Sequence, residues 1–130
     1  MKIIVKNYKT VILLIGIGGI ASACTPQKKM ALANPASQYC IEQGGTIHIE
    51  KGPDGGARGI CLFGDNRQCE EWALFRGDCP IGGVKITGYT TPASTYCAIR
   101  GGKVLENETK CQLPSGKICP VQDVYEGKCS

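Results

Sequence analysis

The side chains best equipped for chemistry in this chain are its nine cysteines. A thiolate serves as a nucleophile, a metal ligand or half of a disulfide, and its surroundings decide which. Nucleophilic use needs a base. His48 is the sole histidine, and it falls in "TIHIE" (Thr46 to Glu50), where alternation sets it on the polar side of a strand. Metal use needs ligands at short spacing. No C-x-x-C occurs, so zinc knuckles, thioredoxin-like redox chemistry and c-type haem attachment lack their usual signature. Glu70 and Glu71 are adjacent and point to different helix faces. Their expected place is a helix N-terminus, where negative charge is favoured, rather than an acid–base pair. "GPDGGARG" (Gly52 to Gly59) does not end in the Lys-Ser/Thr of a phosphate-binding loop and reads as a hairpin turn. We therefore expect no catalytic residue, no metal ligand and no cofactor, and we expect the cysteines to pair.

Their spacing says how. Cys40, Cys61, Cys69 and Cys79 lie 21, 8 and 10 residues apart, and Cys97, Cys111, Cys119 and Cys129 lie 14, 8 and 10 apart. Around them "NPASQYC" (Asn34 to Cys40) returns as "TPASTYC" (Thr91 to Cys97). The spacing indicates an internal duplication, with one insertion between Cys40 and Cys61. Eight cysteines belong to the two copies, and Cys24 is left over.

Cys24 follows an export signal. Lys2, Lys6 and Lys9 precede the apolar run "VILLIGIGGI" (Val11 to Ile20), which has the length of a signal-peptide core and is too short to span a bilayer. "ASAC" (Ala21 to Cys24) reads either as a cleavage site after Ala23 or as a bacterial lipobox whose cysteine becomes a lipidated N-terminus. Ala21 stands where most lipoboxes have leucine. An odd exposed thiol in an oxidising compartment is a hazard and lipidation removes it, so the lipoprotein reading is preferred. Thr25 follows where inner-membrane Gram-negative lipoproteins carry aspartate, which by that resemblance implies outer-membrane sorting. Removing residues 1–23 takes away three lysines, leaving 12 of the 15 basic residues against 11 acidic ones. A mature chain of formal charge +1 has no electrostatic footprint for nucleic acid.

Each copy reads as the same succession of elements. Asn34 and Thr91 are N-caps, and Pro35 and Pro92 sit at the first helical position. Gly44–Gly45 and Gly101–Gly102 stop the helices, the first glycine of each pair suiting the left-handed C′ position. "TIHIE" and "RGICLF" (Arg58 to Phe63) form a hairpin, matched by "KVLE" and "TKCQL" with a shorter tip around Asn107. "CEEWALFRG" (Cys69 to Gly77) reads as a second helix, and "CPVQDVYEG" (Cys119 to Gly127) as a poorer one with Pro120 in its first turn. The expected fold class is small α+β and disulfide-rich, built of two tandem α-β-β-α modules. Residues 1–23 are a signal peptide, 24–33 a lipidated tether, 34–80 the first module, 81–90 a linker and 91–130 the second module.

Four cysteines allow three pairings per module. If Cys69 opens a helix, about ten residues at ~1.5 Å rise hold it too far from Cys79 for a Cα separation of about 5.5 Å. The reading favours Cys40–Cys79 with Cys61–Cys69, and Cys97–Cys129 with Cys111–Cys119. Cys40–Cys69 with Cys61–Cys79 is the alternative. Trp72 and Phe75 share a helix face and are read first as core packing over the disulfides. Trp72 is also a candidate partner contact, together with Asp54 and Arg58 in the longer hairpin loop of the first copy.

The residues "NPASQYC…GG…GICLF…QCEEWALFRGDC" resemble the bacterial family known as domain of unknown function 333, small cysteine-rich envelope lipoproteins often labelled hemolysins. The second copy keeps "PASTYC", "GG" and "EGKC" but has Gln122 where the first has Trp72. The resemblance implies structural roles for the matching residues and no mechanism. The sequence thus leads us to expect a non-enzymatic lipoprotein of the cell envelope, anchored through Cys24 in the outer membrane and facing the periplasm. It would bind or protect an envelope protein or ligand in the periplasm or at the cell surface; the alternative is a membrane-active factor.

Overall fold

The computed structural model describes residues 34–130. The expected signal peptide, Cys24 and the tether lie outside the described residues. Helix α1 (Pro35–Glu42) starts as its sequence dictates: the Asn34 side-chain oxygen accepts from the N–H groups of Ala36 and Ser37 at 2.8 and 3.1 Å. Helix α3 (Pro92–Ile99) is capped by Thr91, whose hydroxyl accepts from the Ser94 N–H at 3.0 Å. Beyond the two helices Gly44 and Gly101 adopt φ of 91° and 90°, the left-handed turn open to glycine. The second glycine of each pair answers to a different demand. A Cβ on Gly45 would stand 2.4 Å from Cys61 Sγ, and one on Gly102 2.7 Å from Cys111 Sγ. "GG" therefore turns the chain and then lets it pass against a disulfide.

Strands β1 (Thr46–Lys51), β2 (Ala57–Phe63), β3 (Arg67–Glu70) and β4 (Val84–Lys85) form one antiparallel sheet in that order. Strands β5 (Lys103–Leu105), β6 (Lys110–Gln112) and β7 (Ile118–Pro120) form a second. The third strand of each sheet departs from the α-β-β-α expectation. "CEEWALFRG" is not helical from Cys69. Cys69 and Glu70 close β3, and helix α2 is Glu71–Arg76. Glu70 is extended, and its carboxylate caps the helix by accepting from the N–H groups of Trp72 and Ala73. Likewise Pro120 ends β7 and precedes helix α4 (Val121–Tyr125) rather than lying in its first turn. Part of the expected 81–90 linker is the edge strand β4, where Val84 pairs with Gln68.

This shorter helix corrects the disulfide pairing. The bridges are Cys40–Cys61, Cys69–Cys79, Cys97–Cys111 and Cys119–Cys129. Cys69 lies on a strand, only six residues are helical, and Gly77 at φ 88° turns the chain back, so the Cys69 and Cys79 Cα atoms are 5.8 Å apart. Cys61 and Cys69 are cross-strand neighbours, as are Cys111 and Cys119, yet each sulfur reaches off its sheet. Cys61 and Cys111 reach the first helix of their half, and Cys69 and Cys119 the segment after the second.

The sulfurs are the centre of the core. In the first half Cys40, Cys61, Cys69 and Cys79 pack with Ala73 and Leu74, and all are buried. In the second, Cys97, Cys111 and Cys119 pack with Ala93, Val121 and Val124, among others. Two cores this small hold little apolar surface. Closing loops of 10 to 21 residues, each bridge contributes about 2–3 kcal/mol by restricting the unfolded chain.

Candidate functional site

The three residues singled out as partner contacts meet at one groove. Asp54, Arg58 and Trp72 line a hollow of about 240 Å³ together with Glu70, Glu71 and Tyr96. The elements bring them there from far apart in sequence: the β1–β2 turn, the start of β2, the start of α2 and the middle of α3.

Arg58 faces inward, not out to solvent. Its guanidinium lies 4.0 Å from the centre of the Tyr96 ring and 4.9 Å from that of Tyr125. The two rings stand edge to face, 5.8 Å between centres. Nη2 donates to the Tyr125 carbonyl at the end of α4. Nη1 is buried without a hydrogen-bond partner among the described residues. The longer hairpin of the first half thus reaches across and clips onto the second. Gly52 makes room, since a Cβ there would stand 2.4 Å from Arg58 Nε. Burial raises the Tyr96 phenol above its usual pKa, with Arg58 and Arg100 pulling the other way.

Asp54 is exposed and accepts from the Gly56 N–H at 3.0 Å, closing its own turn. Glu71 is 4 % exposed. Its carboxylate accepts from Asn34 Nδ2 at 3.0 Å and from the Ser37 hydroxyl, tying the N-terminal ends of α1 and α2 together. A Cβ on Gly59 would stand 2.3 Å from its carboxyl carbon, so β2 passes directly over this tie.

Trp72 and Phe75 correct the core-packing expectation. The buried residues of α2 are Glu71, Ala73 and Leu74, while Trp72 and Phe75 are 38 % and 44 % exposed. Six residues give less than two turns, and Ala73 and Leu74 take the side over the disulfides. Trp72 packs edge to face on Phe75 at 5.7 Å, and Phe75 on Tyr39 at 5.6 Å. Three rings thereby form a ladder that runs from the half-buried Tyr39, packed against the core, out to the exposed Phe75 and Trp72.

Sequence reasoning missed the two tyrosines that hold Arg58 and the burial of Glu71. The available signal was Tyr125, the aromatic kept at the Phe75 position. His48 is exposed on β1, away from the groove-lining set. A second hollow of about 440 Å³ is lined by Glu50, Gln68, Tyr89, Thr95 and Tyr96, among others. Among the described residues no group of three His, Cys, Asp or Glu side chains is placed to hold a metal ion. Nor is any helix among them long and apolar enough to cross a membrane.

Comparison with known proteins gives a family without an assigned activity. Residues 31–78 match the family model described as a domain of unknown function (DUF333). The chain is 34% identical over 83 residues to the uncharacterized protein YoaF of Escherichia coli K12, an alignment spanning 63% of this chain and 98% of that protein. The YoaF protein of Shigella flexneri matches equally. No solved structure matches the chain. With nearly the whole of these relatives covered, the chain belongs to the family of YoaF, and its residues 31–78 carry the domain described as DUF333.

Proposed function

We propose that this protein is a non-enzymatic lipoprotein of the bacterial cell envelope, anchored through Cys24 and working by binding. Its two halves are tandem copies of one disulfide-stapled module, the second diverged. The observation that carries the binding reading is the exposed pair Phe75 and Trp72, backed by the half-buried Tyr39. Aromatic side chains dominate the energetics of interaction surfaces, and here Trp72 and Phe75 stand out of the core on a short, doubly tied helix. Support for duplication comes from equivalent bridges, first to second cysteine and third to fourth, in each half. It also comes from the matching Tyr39–Phe75 and Tyr96–Tyr125 pairs. The sequence supports export, through the basic start, the apolar run and the cysteine left over.

The competing reading is a membrane-active factor, after the hemolysin label that family members carry. The described helices have eight residues or fewer, against the ~20 needed to span a bilayer. Two measurements separate the readings. A fatty-acid analogue should label the protein in cells, and Cys24→Ala should abolish the label. The oxidised, unlipidated protein should leave dye-loaded liposomes and erythrocytes intact at micromolar concentration. Dose-dependent release would put the membrane-active reading first.

A further inference from the structure

We propose that the Tyr39–Phe75–Trp72 ladder receives an arginine side chain from a partner polypeptide. The inference names the partner chemistry of the binding reading above and rests on it. Its basis lies within the molecule. In the second half, Tyr96 is the fifth residue of α3 and Tyr125 the fifth of α4. Their edge-to-face pair holds the Arg58 guanidinium, and the Tyr125 carbonyl accepts from it. In the first half, Tyr39 is the fifth residue of α1 and Phe75 the fifth of α2. They too meet edge to face, 5.6 Å between centres against 5.8 Å in the second half. The closing N–H groups of Gly77, Asp78 and Cys79 go to Leu74 and Ala73. These closing bonds leave the Phe75 carbonyl without a donor among them, as the closing bonds of α4 leave the Tyr125 carbonyl.

The second pair holds a cation and the first holds none among the described residues. Among the described residues the cations lying over aromatic rings are Arg58 and Arg100, both on rings of the second half. Arg76, the arginine of α2 itself, is paired with Asp78 at 3.0 Å. The first pair is also the better acceptor, because Trp72 extends it and indole is the strongest of the cation-binding rings. Charge agrees. The groove next to Trp72 holds Asp54, Glu70 and Glu71 against one cation, Arg58, which lies over the tyrosines, and the exposed Asp54 favours an approaching cation. Arginine fits better than lysine because one planar group can stack on the rings and donate in its plane to a carbonyl. An ammonium has no such plane.

Trp72 is the only tryptophan of the chain, so its fluorescence reports on this face alone in the intact protein. Titration of the oxidised protein with an acetylated Gly-Arg-Gly amide should change that emission saturably. The lysine counterpart should act more weakly, and the neutral citrulline counterpart should have no effect. Phe75→Ala should weaken the arginine peptide about two- to fivefold, the range of an exposed cation–π contact. A linear response, or a citrulline peptide equal to the arginine one, overturns the proposal without need of any variant. Emission that changes with protein concentration alone identifies a second copy as the occupant and overturns a foreign partner. If the peptides fail while crosslinking from this face in cells succeeds, the arginine inference falls and the binding reading stands.

Discussion

Arg58 shows most clearly how one side chain changes what the molecule is. Stacked between two tyrosines and donating to a helix-terminal carbonyl, it makes the longer hairpin of the first half a clip on the second. Stacking contributes about 0.5–2 kcal/mol, and a hydrogen bond from a charged donor about 1.5–3 kcal/mol. Its Nη1, buried without a partner among the described residues, offsets part of that. We expect Arg58→Ala to lower the unfolding free energy by about 2 kcal/mol, within that net range. Arg58→Lys should recover less than half, because an ammonium cannot stack and fork at once. Urea unfolding of the oxidised proteins measures both. Equal stability of Arg58→Ala and the parent would show that the clip is incidental.

At the scale of elements, the buried carboxylate of Glu71 joins two helices through Asn34 and Ser37. Glu71→Ala leaves two donors facing a hole and should cost about 2–3 kcal/mol. Glu71→Gln keeps an acceptor and should cost about half as much, on the same denaturant curves. Such pairings explain which parts of the fold were legible in the sequence. The helix starts at Asn34-Pro35 and Thr91-Pro92, the glycine stops and the two hairpins are local chemistry, settled within a few residues, and they stand as read. The third strands were hidden because Gln68-Cys69-Glu70 reads as easily as the start of a helix. That short misreading carried into the disulfides: a helix begun at Cys69 keeps it from Cys79, whereas a strand ending at Glu70 brings them together. The site was half legible. Trp72, Asp54 and Arg58 do share a groove. Tyr125 was marked as a retained aromatic, but its meeting with Arg58, 67 residues before it, and that of Tyr96, 38 residues after Arg58, exist only once two sheets are built.

At the scale of the whole molecule, bridged cores hold two small sheets, a hairpin clips one half to the other, and one aromatic ladder runs from the first core out to solvent. The oxidised cores leave no described cysteine free for chemistry, since all eight from Cys40 to Cys129 are paired. The exposed end of the ladder, Phe75 and Trp72, is then the apolar surface that the core does not use. Binding through that face is the account's central claim, and photocrosslinking in living cells tests it most directly. Benzoylphenylalanine replaces Phe75 in the ladder and, as a control, Ile118 on β7, which is 53 % exposed in the other half. The account predicts a discrete crosslinked species from position 75 that is absent from position 118 and is lost when Trp72 and Tyr39 are also changed to alanine. No crosslink from position 75, or the same pattern from both positions, would contradict it.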